Sequence, residues 1–284
     1  DGLADVLMGA SSSGTNAGSA FVVYGRVNGT SLNIVNGTIA AADGFRINAS
    51  SSSSNFGTSV SNVGDFNGDG INDFIVGATG PGASVASGGG SAYVFFGKTN
   101  GTNITLGTGG SILATDGIRL SGSASEFAGN SVSGAGDVNG DGLADVIVSA
   151  ASEYALTNAN GAGYVIFGGA TGGNLSALAT AGQGFKITGA TSGGLRVGTS
   201  VSSAGDVNGD GFADVVLGTD TDQISSAAYV VYGGASPAAV NLGAGGTIAA
   251  SAGFRITGNS AQSSLSEVSS AGDVNGDGLG DILV

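Results

Sequence analysis

The sequence predicts an all-β chain in which one small unit of four strands is repeated in series. Three observations carry that expectation. A nine-residue acidic pattern occurs in full at Asp65–Asp73, Asp137–Asp145, Asp206–Asp214 and Asp273–Asp281, and Asp1–Asp5 is the tail of a fifth copy. The last Asp of each copy falls at 5, 73, 145, 214 and 281, so the unit is about 69 residues long, a period typical of stacked or radial repeats. Finally, 57 of 284 residues are Gly and the 41% apolar share leans on Ala and Val, which suits packed sheets joined by tight turns rather than helices.

Each unit divides into the same elements. Before the acidic loop lies a run of small residues, such as Gly57–Gly64 (GTSVSNVG) or Gly198–Gly205 (GTSVSSAG), and its low volume fits the crowded innermost strand of a propeller blade. After the loop comes a compact apolar strand, such as Asp145–Val148 (DVIV). A third, aromatic strand follows at Gly18–Gly25, Gly90–Gly97, Gly161–Gly168 and Ser226–Gly233, suited to a place between neighbouring sheets. The fourth is a short alternating segment at Gly44–Ile47, Gly117–Leu120, Gly184–Ile187 and Gly253–Ile256. Gly-, Ser- and Asn-rich stretches such as Gly80–Gly89 and Gly101–Gly110 are expected to be surface loops. The fold class is therefore an all-β, β-propeller-type array of four-stranded blades. The chain is one array, with units at approximately 1–64, 65–136, 137–205 and 206–272 and a partial unit at 273–284.

Composition removes whole classes of chemistry. Without Cys or His there is no disulfide, no thiolate or imidazole metal site and no Ser-His-Asp or Cys-His catalytic arrangement. The chain is expected not to be an enzyme. A net charge of −14 disfavours nucleic acid and anionic membranes and points to cations as partners. No apolar run approaches the roughly 18 residues that cross a bilayer, so no transmembrane segment is expected. Asp1 opens inside a motif, so a native start with a signal peptide is expected upstream.

In Asp-x-Asn-Gly-Asp-Gly-x-x-Asp, carboxylates and an amide oxygen alternate along a chain that Gly lets turn sharply, a pattern of hard oxygen ligands for a hard cation. The predicted cofactor is Ca2+, at about four full sites. Side-chain ligands are Asp65, Asn67, Asp69 and Asp73 in the first full loop, Asp137, Asn139, Asp141 and Asp145 in the second, Asp206, Asn208, Asp210 and Asp214 in the third, and Asp273, Asn275, Asp277 and Asp281 in the fourth. The seventh positions, Ile71, Leu143, Phe212 and Leu279, would add backbone carbonyls, and the cut copy offers Asp1, Leu3 and Asp5. An EF-hand needs a bidentate Glu at the twelfth position, where this chain has Val76, Val148, Leu217 and Val284. The sites are thus hairpin connections, not helix-loop-helix. Asp-Gly and Asn-Gly are also plain turn formers, but four copies with every ligand position filled favour the metal reading.

Phe56-Gly57, Ser59-Val60, the loop Asp65–Asp73, Gly77-Ala78 and the following Pro81 together resemble the FG-GAP repeat of integrin α-subunit propellers and their bacterial relatives. The resemblance departs from the pattern at Phe127-Ala128-Gly129, at Val197 before Gly198 and at Leu265 and Glu267. It implies a seven-bladed propeller, of which this chain would be a fragment, or a segment of a longer array. It also implies an extracellular or cell-surface adhesion or structural module, with a protein or glycan ligand at its surface and self-assembly through the repeats as a further partner. The alternatives are a lectin-like propeller or the accessory propeller of a secreted hydrolase.

Three lesser signals remain. Gly97-Lys98-Thr99 imitates the end of a P-loop, but Ala92 stands where the earlier Gly is required. Arg46, Arg119, Lys186 and Arg255 share one position per unit and would either bind an acidic ligand or be paired. Phe21, Tyr24, Tyr93, Tyr164 and Tyr229 suit packing better than a sugar-binding surface.

Overall fold

The computed structural model describes residues 2–11, 17–27, 31–32, 34, 37–49, 55–80, 89–151, 160–189, 196–220, 227–243, 245–258 and 265–284. Asp1, Pro81 and Ser226, and residues 81–88 of the first Gly-rich stretch, lie outside them.

The first sheet holds β1 (Val6–Ala10), β2 (Ser19–Val23) and β3 (Gly44–Asn48). The second runs β4 (Phe56–Gly64), β5 (Asp73–Ala78), β6 (Ser91–Phe95) and then, past the two-residue β7 (Ile104–Thr105), β8 (Gly117–Ser121). The third repeats this order with β9 (Val132–Gly136), β10 (Asp145–Ala150), β11 (Ala162–Ile166), the short β12 (Gly173–Asn174) and β13 (Gly184–Thr188). The fourth has β14 (Arg196–Gly205), β15 (Asp214–Asp220), β16 (Ala227–Val231), the short β17 (Val240–Asn241) and β18 (Gly253–Thr257). A last hairpin, β19 (Ser269–Gly272) and β20 (Asp281–Leu283), follows. The main strands of each sheet, three in the first and four in the next three, pair antiparallel, as blades do. Because each acidic loop joins strand one to strand two, a sheet takes its first strand from the end of one sequence unit and the rest from the next.

The cores lie between sheets. One cluster joins Ile47 and Phe45 to Phe56, Tyr93 and Phe95, a second joins Val94 and Leu120 to Val148 and Tyr164, and a third joins Ile147 and Val165 to Leu217 and Tyr229. Every residue of β5, β6, β10, β11 and β16 is buried, which explains their continuous apolar runs: these strands are covered on both faces.

The first strands of successive sheets lie side by side, and their serines stitch them. Val132 N and Gly134 N donate to Ser59 Oγ and Ser61 Oγ (3.0 and 3.3 Å), Val201 N donates to Ser131 Oγ (3.0 Å), and Ser270 N donates to Ser202 Oγ (3.1 Å). Small size is thus half of the reason for their composition. The other half is a hydroxyl that accepts from the neighbouring sheet.

Two expectations need correction. The 101–110 stretch is not simply a surface loop: β7 adds in parallel to β3 of the preceding sheet, pairing Ile104 with Ile47, and Leu106 behind it is buried. The same occurs when β12 joins β8 and β17 joins β13, with Leu175 and Leu242 buried behind. Among the described residues three sheets thus gain a strand lent by the following unit: β7 is the fourth strand of the first sheet, and β12 and β17 are fifth strands added to the four-stranded second and third blades. The chain also contains a helix, α1 (Leu175–Thr180), in which Asn174 caps Ser176 N and Ala177 N while Leu175 and Leu178 face the core.

The repeated cations and aromatics are brackets within this frame. Arg46, Arg119, Lys186 and Arg255 pair across strands with Phe21, Tyr93, Tyr164 and Tyr229 and lie 5.6, 5.9, 4.8 and 5.8 Å from the ring centroids. Arg46 and Arg119 also donate to Ser19 Oγ and Ser91 Oγ and to the carbonyls of Gly37 and Gly109. With Tyr93, Tyr164 and Tyr229 fully buried, those rings offer no sugar-binding surface. In the third sheet Ala162 stands where Ser19 and Ser91 stand, and a carboxylate takes over. Glu126 accepts from Tyr164 Oη (2.7 Å), Lys186 Nζ (3.3 Å) and Ser123 N (2.7 Å). Burial pushes the Glu126 carboxyl up, but the Tyr164 and Ser123 hydrogen bonds and the Lys186 charge outweigh it and leave it below its ordinary value. An acid held down in this way stabilises the fold at neutral pH and loses that contribution as pH falls through its folded pKa. Glu126→Gln is expected to cost about 1–2 kcal/mol at pH 7. The gap to the parent, read from urea midpoints, should narrow as pH falls through the lowered carboxyl pKa; a gap that stays constant would contradict it.

Candidate metal centres

Each acidic loop is wound by its own side chains. In the first full loop Asp65 Oδ1 accepts from Gly68 N (2.7 Å) and Asp69 N (3.1 Å), and Asp65 Oδ2 accepts from Gly70 N (2.8 Å). Asn67 Oδ1 accepts from Asp69 N (2.9 Å), Asn67 Nδ2 donates to Asp69 Oδ2 (2.9 Å), and Asp69 Oδ1 accepts from Ile71 N (2.8 Å). The same bonds, within 0.2 Å, wind the loops headed by Asp137, Asp206 and Asp273. Glycine is required at positions four and six, where φ is +79° and +83° at Gly68 and Gly70. The first, third and fifth side chains are thereby gathered at one solvent-facing turn.

The ninth residue is placed differently. Asp73, Asp145 and Asp214 are 0% exposed. Asp145 Oδ2 accepts from Val138 N (2.8 Å) and Oδ1 from Gly168 N (2.8 Å), tying the loop to the end of β11; Asp73 and Asp214 make the equivalent bonds to Phe66 and Gly97 and to Val207 and Gly233. Burial raises all three carboxyls, Asp145 to about 7 and Asp214 to about 6, with the neighbouring loop carboxylates adding to the rise. Asp5 keeps one such bond, from Gly25 N, and Asp281 one, from Val274 N, and both are more open.

Among the described residues no three acidic side chains are grouped closely enough to hold a metal unaided. Asp73, Asp145 and Asp214 brace their loops from beneath, while Asp65, Asn67 and Asp69 sit at the solvent-accessible turn with oxygens on the loop's own N–H groups. A cation would therefore draw on the Asn67 amide and the Ile71 carbonyl as well as carboxylates. That donor set is all oxygen, carries net negative charge and contains no nitrogen or sulfur ligand, so it fits Ca2+. Of the sequence-predicted ligands, Leu3 and Asp5 lie at the open side of the first sheet beside Ile71, Asn72 and Asp73, around a cavity of about 530 Å³.

Sequence reasoning missed a second role for the glycine that follows the start of strand one. Gly57, Gly129 and Gly198 have φ near +88°, and a Cβ on any of them would collide with the carbonyl oxygen of Ser19, Ser91 or Ala162 on the preceding sheet. Residues 56–95, 128–167 and 197–231 each match the family model for the FG-GAP repeat. The chain carries FG-GAP repeats. Each FG-GAP match begins at the residue bridging to the preceding sheet, Phe56 to Gly18, Ala128 to Gly90 and Val197 to Gly161, and ends at or just after the third strand. Ala128 and Val197 thus fill the place of the signature Phe, and Phe127, at φ +49°, sits one residue before it. In this chain Gly recurs at 57, 129 and 198 because backbone approaches backbone there, while the residue before it changes from Phe56 to Ala128 and Val197.

Proposed function

We propose that this FG-GAP chain is a non-catalytic, extracellular β-propeller module in which calcium at each acidic loop rigidifies the blades for adhesion or scaffolding. The observation that supports the reading is the identical winding of four loops around the Asp at position one, which brings the oxygen-bearing side chains of positions one, three and five to one solvent-accessible turn. No helix among the described residues is long and apolar enough to cross a membrane. The glycan-binding alternative loses the three buried tyrosines that motivated it.

When bound, the ion would neutralise the crowded carboxylates of its loop. The chain's own residues do the rest: the position-one Asp winds the turn, the buried ninth Asp ties it to the third strand, and Gly supplies the left-handed backbone. Calorimetric titration of the metal-depleted chain with calcium is expected to show about four sites with Kd of about 10⁻⁴ to 10⁻³ M. Asp141→Ala should remove one of them. Saturation with no heat and no stoichiometric uptake on equilibrium dialysis would refute the reading.

A further inference from the structure

The four acidic loops form a row in which each touches the next at two points. Ala144 N donates to Asp65 O (2.9 Å), Ala213 N to Asp137 O (3.0 Å) and Gly280 N to Asp206 O (2.7 Å), so the eighth residue of one loop is anchored on the first residue of the loop before it. The seventh side chain lies against the fourth-position glycine of that preceding loop. A Cβ built at Gly68 would stand 3.3 Å from Leu143 Cδ2, one at Gly140 2.5 Å from Phe212 Cε1, and one at Gly209 3.2 Å from Leu279 Cδ2. Gly276, in the last loop, has nothing within 4 Å. In the first two full loops the second residue, Phe66 or Val138, is buried in the core shared with the following sheet, whereas Val274 of the last loop is exposed.

From this arrangement we infer that Leu143, Phe212 and Leu279 are positioning residues that set the calcium affinity of the loop preceding their own. The inference rests on the calcium reading above. Each of the three carries, on its backbone, the carbonyl assigned to its own loop's cation, while its side chain covers the turn that gathers the neighbour's donors. Filling one loop fixes that residue, and the neighbour then has less disorder to lose when its own cation arrives. The coupling is favourable and reciprocal, and it runs from blade to blade through adjacent loops.

The test uses the full chain and calcium alone, with amide resonances as local reporters. Gly70, Gly142 and Gly211 each donate to the position-one carboxylate of a different loop, so each reports the filling of its own site. Asp210→Ala vacates the third full loop and is expected to raise the calcium midpoint read at Gly142 about fivefold. In a Phe212→Ala background the same substitution should leave the Gly142 midpoint where Phe212→Ala has put it. Phe212→Leu, which installs the residue found at Leu143 and Leu279, should restore the coupling and guards against a trivial loss of fold. A Gly142 midpoint identical in the parent and in Asp210→Ala overturns the inference while leaving calcium binding intact. Glycine amides that ignore calcium in the parent would instead overturn the calcium reading, and this inference with it.

Discussion

On the proposed calcium reading, chelator is expected to lower the melting temperature of the calcium-saturated chain by roughly 10–20 °C. Ligand that binds only the folded state at about tenfold excess over Kd adds about 1.4 kcal/mol per site, so four sites contribute about 5–6 kcal/mol. For a chain of this size each kcal/mol shifts the midpoint by about 2–4 °C. The effect is large because the charge is concentrated: 14 of the 21 acidic residues lie in the four full loops and the cut copy. In the first full loop the Asp69 N–H donates to Asp65 Oδ1 while the buried Asp73 feels the Asp69 charge. Differential scanning calorimetry with and without chelator is the measurement. Superimposable traces would remove the cation from the account of stability.

Asp145→Ala is expected to cost about 4 kcal/mol even in the metal-free chain. The carboxylate is the acceptor for Val138 N and Gly168 N in a fully buried position, and each buried donor left without a partner costs about 1–3 kcal/mol. Asp145→Asn keeps one acceptor and turns an amide toward the other N–H, so its cost should be intermediate. Asp281 supplies the control: it occupies the same place in the last loop but holds one bond, to the N–H of Val274, which is 73% exposed. Asp281→Ala should cost less than about 1 kcal/mol. Equal urea midpoints for Asp145→Ala and Asp281→Ala would show that burial of the ninth residue carries no structural weight.

The repeat, its strands and the loops were legible because each rests on a residue type with few substitutes. A left-handed turn asks for Gly, a turn wound by side-chain oxygens for Asp and Asn, and a strand covered on both faces for an apolar run such as Val146–Val148. What the sequence did not disclose was the division of labour inside the loop. Asp65 and Asp73 are the same residue type, yet one winds an exposed turn and the other is buried as a brace, a difference set by the neighbouring strand. The two-residue strands were also silent, since Ile-Thr, Gly-Asn and Val-Asn share no periodicity. A weaker signal was available: Leu106, Leu175 and Leu242 recur shortly before each fourth strand, and an apolar residue returning in register inside a polar stretch marks buried structure. The helix at Leu175–Thr180 hid in the same place, its Leu-x-x-Leu spacing too short to stand out against 57 glycines.

The lent strands β7, β12 and β17 have one more effect. An open sheet margin displays unpaired amides on which foreign chains can add, layer upon layer, into fibrils. Here the margin of three blades is closed by two residues borrowed from the neighbour, a patch too brief to serve as a template in its turn. In a glycine-rich chain with only seven basic side chains, few lysines are available to guard such margins, and the lent strands cover three of them instead.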